Sequence, residues 1–448
     1  MATVDDDRLL RDTDDLIAPF VEAEKPRGRW RIGLEAEKFG LDAVGRPLDW
    51  HALSAVLDDL VRAHGWSPEN EYPGGPTIAL RRGAASVTLE PGGQLELSGA
   101  PHSSVHEAAA ELETHLAELR SVCAPRGIRW LSLGFHPTAR RDELPWVPKL
   151  RYGVMRAYLP TRGRRALDMM QRTCTVQVNL DYADEHDAMR KLRIGLALGP
   201  IVTGILAHSP FVEGAVAGRL DERAAVWLET DPDRTGLLPA LWRDGAGYDD
   251  YVQWALDVPM FLVRRGATVV RNTGQRFRDF LRDGFGGARA TRADWDAHLN
   301  SLFPEARLKR TLELRGADAQ PLQTTAAVAA LWKGLLYDEQ GLAAAERLAS
   351  RLAPDELEAA RPHIAQHGPR AMLCGRPVAE WGNELLAIAD AALARQGVLD
   401  AEGRDERRYL GPLRALLERG RCPADVLLDA ARRGGRGVLD GLAETTVA

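Results

Sequence analysis

The sequence predicts an α+β fold, and three observations carry that prediction. Strand-like segments, in which apolar and polar residues alternate, are scattered over residues 30–320 without a regular βαβ cadence. No glycine-rich turn leads from a strand into a helix, as a doubly wound parallel sheet with a dinucleotide site requires. From about Thr325 the text turns to Ala, Leu, Arg and Glu, the composition of a helical tail.

The first helical period lies at 52–63, where Leu53, Val56, Leu57, Leu60 and Val61 recur at three-to-four spacing. A second helix spans about 105–123, announced by Pro101 and by the capping box Ser104-x-x-Glu107. A third runs over 185–207 and grows apolar toward its end. In the tail, helical segments fall at 325–350, 354–366, 378–397, 405–419 and 423–432.

Four strands carry the informative residues, read with a period of two. In 31–39, Ile32, Leu34 and Ala36 point one way while Glu35 and Glu37 point the other, about 6.6 Å apart along the strand. Segment 86–98 gives a strand ending at Glu90, a break at Pro91-Gly92-Gly93, and a short strand whose Gln94, Glu96 and Ser98 share a face. In 172–182, Cys174, Val176, Val178 and Leu180 oppose Thr173, Thr175, Gln177, Asn179 and Asp181. In 308–315, Lys309, Thr311, Glu313 and Arg315 oppose Leu308, Leu312 and Leu314. Taken singly, each polar face also fits the solvated side of an antiparallel sheet. Together they present glutamates, amides and hydroxyls, the oxygen donors that hard cations prefer. Convergence of Glu35, Glu37, Glu90, Glu96 and Glu313 demands divalent cations to offset their repulsion.

With 45% hydrophobic and 27% charged residues the chain buries a core rather than staying disordered. Its 58 Lys+Arg against 64 Asp+Glu leave a net charge of -6, which argues against nucleic-acid or membrane-surface partners. Six of those 58 cations are lysines, among which Lys38 and Lys309 stand beside the acidic strands. Lys38 reads as a structural ion pair or as a substrate contact. The four cysteines form no CxxC pair, so a reducing cytoplasm is expected, and Cys174 belongs to the apolar row of its strand. The acidic start MATVDDDRLLRDTDDL has neither signal-peptide nor transit-peptide character, and no apolar run is long enough to span a membrane. Walker, dinucleotide, zincin and esterase-elbow motifs are missing.

The strings IGLEAEKFG (32–40), TLEPGGQLELSGAP (88–101), MMQRTCTVQVNLDY (169–182), LALGPIVTGILAHSPFVEG (196–214), TDPDRTG (230–236), WALDVPMF (254–261) and FPEARLKRTLELRGAD (303–318) resemble the glutamate-cysteine ligases of plants and proteobacteria. The resemblance implies a sheet fold similar to that of glutamine synthetase and the guanidino kinases, and the composition shift near 325–345 divides the chain into one catalytic unit over 1–340 and a helical region over 341–448 that is expected to pack on it rather than fold alone. It implies that ATP phosphorylates the γ-carboxylate of L-glutamate and that the amino group of L-cysteine displaces phosphate, giving γ-glutamylcysteine. It assigns metal binding to Glu35, Glu37, Glu90, Glu96 and Glu313, with two or three magnesium ions shared with ATP. Glu35, Glu96 and Arg315 are expected at the nucleotide.

By the same resemblance Arg315 faces the transferred phosphoryl group, Lys309 assists it, Gln177 orients substrate, and Arg234 anchors the α-carboxylate of glutamate. Local alternatives stand beside these roles: a salt bridge for Arg315, a place outside the site for Lys309, and a solvated turn for Arg234. Stretches that carry regulatory cysteines in the plant enzymes have none here, which, with the absent transit peptide, points to a bacterial cytoplasmic enzyme, monomeric or homodimeric. Two rival readings are a same-family ligase serving ergothioneine or another amine, and a non-catalytic binding protein on the same scaffold.

Overall fold

The structure, a computed structural model, describes residues 8–434 except 244, 266 and 267, together with Val438 and Leu442. Its centre is a nine-stranded sheet formed by β1 (Ile32–Leu41), β2 (Ser67–Asn70), β3 (Thr77–Arg82), β4 (Ala85–Leu89), β5 (Leu95–Ser98), β6 (Arg129–Leu131), β7 (Thr175–Leu180), β8 (Ala306–Leu308) and β9 (Leu312–Asp318). The order is β8-β9-β7-β1-β5-β4-β3-β2, with β6 on the far half of β1, and every pairing in it is antiparallel. The α+β expectation is met. Chain order and sheet order differ most at β7, which inserts between β1 and β9 although more than a hundred residues separate it from each.

One face of the sheet is apolar and is covered by helices. Trp50–His64 is capped by Asp49, whose carboxylate accepts from Ala52 N, and it stops at Gly65 in the left-handed region (φ 69°). It packs on Val105–Cys123, where half of the expected capping box forms: Ser104 accepts from Glu107 N, while the Glu107 carboxylate accepts from Ser103 N instead of Ser104 N. Glu185–Ile205 lies on β8 and β9. The predicted tail segment at 325–350 is two helices, Leu322–Tyr337 and Glu339–Ala349, because Asp338 ends one and caps the next through Gly341 N. Leu322–Tyr337 packs against β7 and β1, and its apolar residues join one core cluster with those of the sheet.

Two of the predicted strands are shorter than read. Residues 166–172 form a helix, Ala166–Arg172, so β7 begins at Thr175. Segment 308–315 is not one strand: it turns back at 309–311, where Lys309 N donates to Thr311 O, and Leu308 pairs with Leu312. Lys309 therefore sits in a hairpin turn.

Candidate active site

Strand register assembles the acids. Glu37 lies directly opposite Glu96 across β1 and β5, Glu35 opposite Gln177 across β1 and β7, and Asn179 opposite Glu313 across β7 and β9. Thr88 of β4 pairs with Glu96 and donates its hydroxyl to it at 2.8 Å. Asn179 donates to Glu35 at 2.8 Å, and Thr175 N donates to Glu37 at 2.9 Å. The polar faces of five adjacent strands thus form one surface, and Glu90 joins it from the turn after β4.

That turn is built by its glycines and by Gln94. A Cβ on Gly92 would stand 2.3 Å from the Gln171 carbonyl, and Gly93 has φ 84°, a conformation open to glycine. Gln94, expected on the acidic face, is buried instead: it accepts from Gly92 N and donates to Met170 O and Thr173 O, tying the turn to the helix before β7. The bend aims Glu90 back toward the acids, where Tyr152 donates its hydroxyl to it at 3.3 Å.

At the other end, β9 carries a bulge between Leu314 and Ala317. Arg315 sits in the bulge and donates to both Gln177 and Glu313. Glu313, fully buried, is held by three cations: Arg307 by two bonds of 2.8 and 2.9 Å, Lys309 at 2.7 Å, and Arg315. For Glu313 to meet a metal, its pairing with Lys309 or Arg315 has to open.

The two halves of the surface differ in charge balance. Burial, then repulsion from Glu90, pushes the Glu37 carboxyl up to about 8, against the pull of Arg223. Burial and the neighbouring Glu35, Glu90 and Glu37 hold Glu96 well above the usual carboxylate range. For Glu313 burial acts in the same direction, yet Arg307, Lys309 and Arg315 outweigh it and keep that carboxyl well below the range. Negative charge is therefore crowded and under-compensated around Glu37, Glu90 and Glu96. Among the described residues no three acid, histidine or cysteine side chains close on one point as a finished metal cage. The donor set still fits magnesium, which takes few protein carboxylates and fills its remaining positions with water and phosphate oxygens.

Two cavities meet at these acids. The first, about 370 Å³, is lined by Glu37, Glu90, Arg151, Arg223 and Arg315 on its polar side and by Met155, Met169, Met170, Met260, Trp227 and Phe261 on its apolar side. The second, about 350 Å³, reaches Glu90 and Glu96 from the β3–β4 side and adds Lys149, Arg151, Arg264, Ile78, Leu262 and Val269.

Arg234 is placed otherwise than the sequence suggests. It is fully buried behind the wall of the first cavity, where Nε donates to Asp231 at 2.7 Å, Nη1 to Ser301 O and Nη2 to Pro259 O, with Phe261 stacked 4.1 Å from the guanidinium. Its fork is taken up by the protein, so it ties the 231–236 turn to the wall-forming residues 259–261 and 301. Lys38 takes neither of its expected roles: its ammonium donates to Ala36 O at 3.1 Å on the side opposite the acids, and burial lowers it to about 8. Cys174 is core, as read from the sequence.

The cations Arg151, Arg223, Arg264 and Lys149 escaped the sequence reading. They come from helices, a loop and the short strand Val263–Arg265, whose cations look like ordinary surface residues; one available signal was Arg151 next to the aromatic Tyr152.

Comparison with known proteins fits this arrangement. The family model described as glutamate-cysteine ligase family 2 matches residues 31–442. The chain is 40% identical over 420 residues to the chloroplastic glutamate-cysteine ligase of Brassica juncea, covering 93% of this chain and 80% of that one. It is equally similar to the chloroplastic enzyme of Arabidopsis thaliana, at 40% over 93% of this chain and 79% of that one. These relatives are plant enzymes of the chloroplast, so they lend no support to the bacterial source read from the sequence. Among solved structures, a glutamate-cysteine ligase of Francisella tularensis in complex with AMP superposes with a TM-score of 0.55 at 14% identity, covering 93% of this chain and 87% of that one, which is a likeness of fold. With the family model spanning nearly the whole described chain and the plant enzymes matching over most of their length, this chain belongs to glutamate-cysteine ligase family 2.

Proposed function

We propose that this chain joins the γ-carboxylate of L-glutamate to the amino group of L-cysteine at the expense of ATP, through γ-glutamyl phosphate. The observation that carries the proposal is the Glu37–Glu96 pair, set with Glu90 where two cavities meet. ATP occupies the 350 Å³ cavity, its base against Ile78, Leu262 and Val269. Glutamate and cysteine occupy the 370 Å³ cavity, where Arg151, Arg223 and Arg315 offer guanidinium forks to carboxylates and the methionines offer a soft wall to a thiol side chain.

Magnesium would be held by Glu37, Glu90 and Glu96, joined by Glu35, and would supply charge neutralisation for the phosphate chain, while Glu313 stays with its three cations. In the first step a γ-carboxylate oxygen attacks the terminal phosphorus and ADP leaves. Two anions must approach, and Arg315, fixed on Gln177 and Glu313, is aimed to stabilise the equatorial oxygens that gain charge. In the second step the amine nitrogen attacks the acyl carbon, loses a proton, and phosphate departs with the former carboxylate oxygen. Lys309 acts through Glu313 rather than by contact, since its ammonium is spent on that carboxylate. Arg234 keeps the cavity wall in place. Work in the cytoplasm, as a monomer or homodimer, belongs to the same proposal; among the described residues no helix is long and apolar enough to cross a membrane.

The test is ADP release from ATP and magnesium with L-glutamate, in the presence of L-cysteine or of other small amines. Glutamate-dependent release, fastest with cysteine, is the predicted result. Release without glutamate, or none with any amine, would overturn it.

A further inference from the structure

The six lysines of the chain are all described, and five have a protein partner. Four hold carboxylates, and Lys38 donates to a backbone carbonyl. Lys149 has neither ion pair nor hydrogen bond from its ammonium among the described residues, although it is only 8% exposed. Its Nζ lies 5.3 Å from the centroid of the Tyr152 ring, and Glu90, Glu96 and Glu71 act on it only through space, with no direct bond. A desolvated ammonium that bonds no anion directly is costly, so such a group in a cavity marks where a ligand's negative charge goes.

The position is specific. Lys149 lines the 350 Å³ cavity together with Glu90 and Glu96. It is also the residue that begins the nine-residue helix Leu150–Tyr158, with no side-chain cap of its own, so the positive end of that helix faces the same space. Glu71 takes one amide there, Leu150 N, at 3.2 Å. Arg151, two residues further on, adds a guanidinium to the boundary between the two cavities.

We infer that Lys149 contacts the phosphate chain of the nucleotide, as a catalytic cation in the cavity it shares with the carboxylates proposed to bind magnesium. The inference rests on the proposed assignment of ATP to this cavity, and it goes beyond that assignment by naming the cation. A compact ammonium on a flexible stem follows a phosphoryl group whose charge shifts during transfer better than a rigid fork does.

The test compares Lys149→Met with the intact protein by calorimetric binding of ADP and of AMP, each with magnesium, beside the KM for glutamate. A charge-assisted bond to phosphate predicts ADP binding weakened about 10- to 100-fold. AMP binding should fall much less, and the KM for glutamate should stay within about twofold, a selectivity that a general loss of structure does not produce. Lys149→Arg should recover part of the ADP affinity, and Lys149→Gln serves the same comparison should the methionine variant fail to fold. Unchanged ADP binding, an equal loss for AMP and ADP, or an effect confined to glutamate would each overturn the inference. If the intact protein releases no ADP with glutamate, the functional reading itself has failed, which is a distinguishable result.

Discussion

At the scale of single residues, burial first and repulsion between neighbours second hold the protons of the Glu37 and Glu96 carboxyls. Glu37 in the fold titrates near 8 against an ordinary 4.5, because burial and Glu90 oppose its charge. A group with a raised value in the fold opposes folding progressively as pH rises from its unfolded value through its folded one. The metal-free protein should therefore lose stability between about pH 4.5 and 8, and Glu37→Gln should flatten that slope. Thermal midpoints across this range, without magnesium, check it; a slope unaltered by the substitution contradicts it. Arg234 makes a second prediction. Removing its guanidinium takes the 2.7 Å partner from buried Asp231, which keeps only the Asp233 amide at 3.1 Å and Arg162 at 3.6 Å, so Arg234→Ala should cost about 3 kcal/mol in denaturant unfolding. Unaltered stability with a raised KM for glutamate would return Arg234 to the role of carboxylate anchor. The acids were legible in the sequence because strand period alone sets the face of a side chain. Arg234 was misplaced because a turn arginine has no period, and its acceptors at Ser301 and Pro259 are supplied by distant chain.

At the scale of elements, the β9 bulge decides where Arg315 points. It is pinned from several sides: Arg223 donates to Arg315 O at 2.9 Å, Thr203 donates to Gly316 O at 2.8 Å, and Arg315 N donates to Glu305 O at 3.2 Å. A Cβ at Gly316 would stand 2.8 Å from the Thr203 hydroxyl and 3.2 Å from Gly199 O. Gly316→Ala should therefore shift the bulge and lower kcat by at least about tenfold, since a displacement near 1 Å is enough to misalign a reacting group. Steady-state rates at saturating ATP and glutamate test this; a full kcat would show that the bulge does not position Arg315. The hairpin at 309–311 shows where periodicity misleads. Leu308 and Leu312 are four residues apart, so the apolar phase continues through the turn as it would along a straight strand, and only three consecutive polar residues, Lys309 to Thr311, hint at the reversal.

Across the whole molecule, the helical region completes the site without lining its main cavity. Arg361, on the helix Pro354–His367, donates to Glu305, the residue whose carbonyl receives Arg315 N, while Glu358 holds its other amine at 2.9 and 3.0 Å. Lys333 and Glu406 form a buried pair at 2.7 Å, and Glu406 also accepts from Val105 N at the start of a sheet-covering helix. We propose that residues 341–448 fold only on the catalytic part. A fragment of residues 341–448 alone should then lack a cooperative unfolding transition, and a sharp transition in that fragment would refute the dependence. Class and tail were legible from composition and period. Sheet order was not, because pairing β7 between β1 and β9 depends on contacts between residues more than a hundred positions apart. The central claim is that ATP activates the γ-carboxylate of glutamate, and oxygen transfer reads it directly. L-glutamate carrying ¹⁸O in its γ-carboxylate is turned over with ATP, magnesium and L-cysteine, and the released phosphate is examined by mass spectrometry. The account predicts one labelled oxygen in each phosphate formed with γ-glutamylcysteine, and unlabelled phosphate would contradict it.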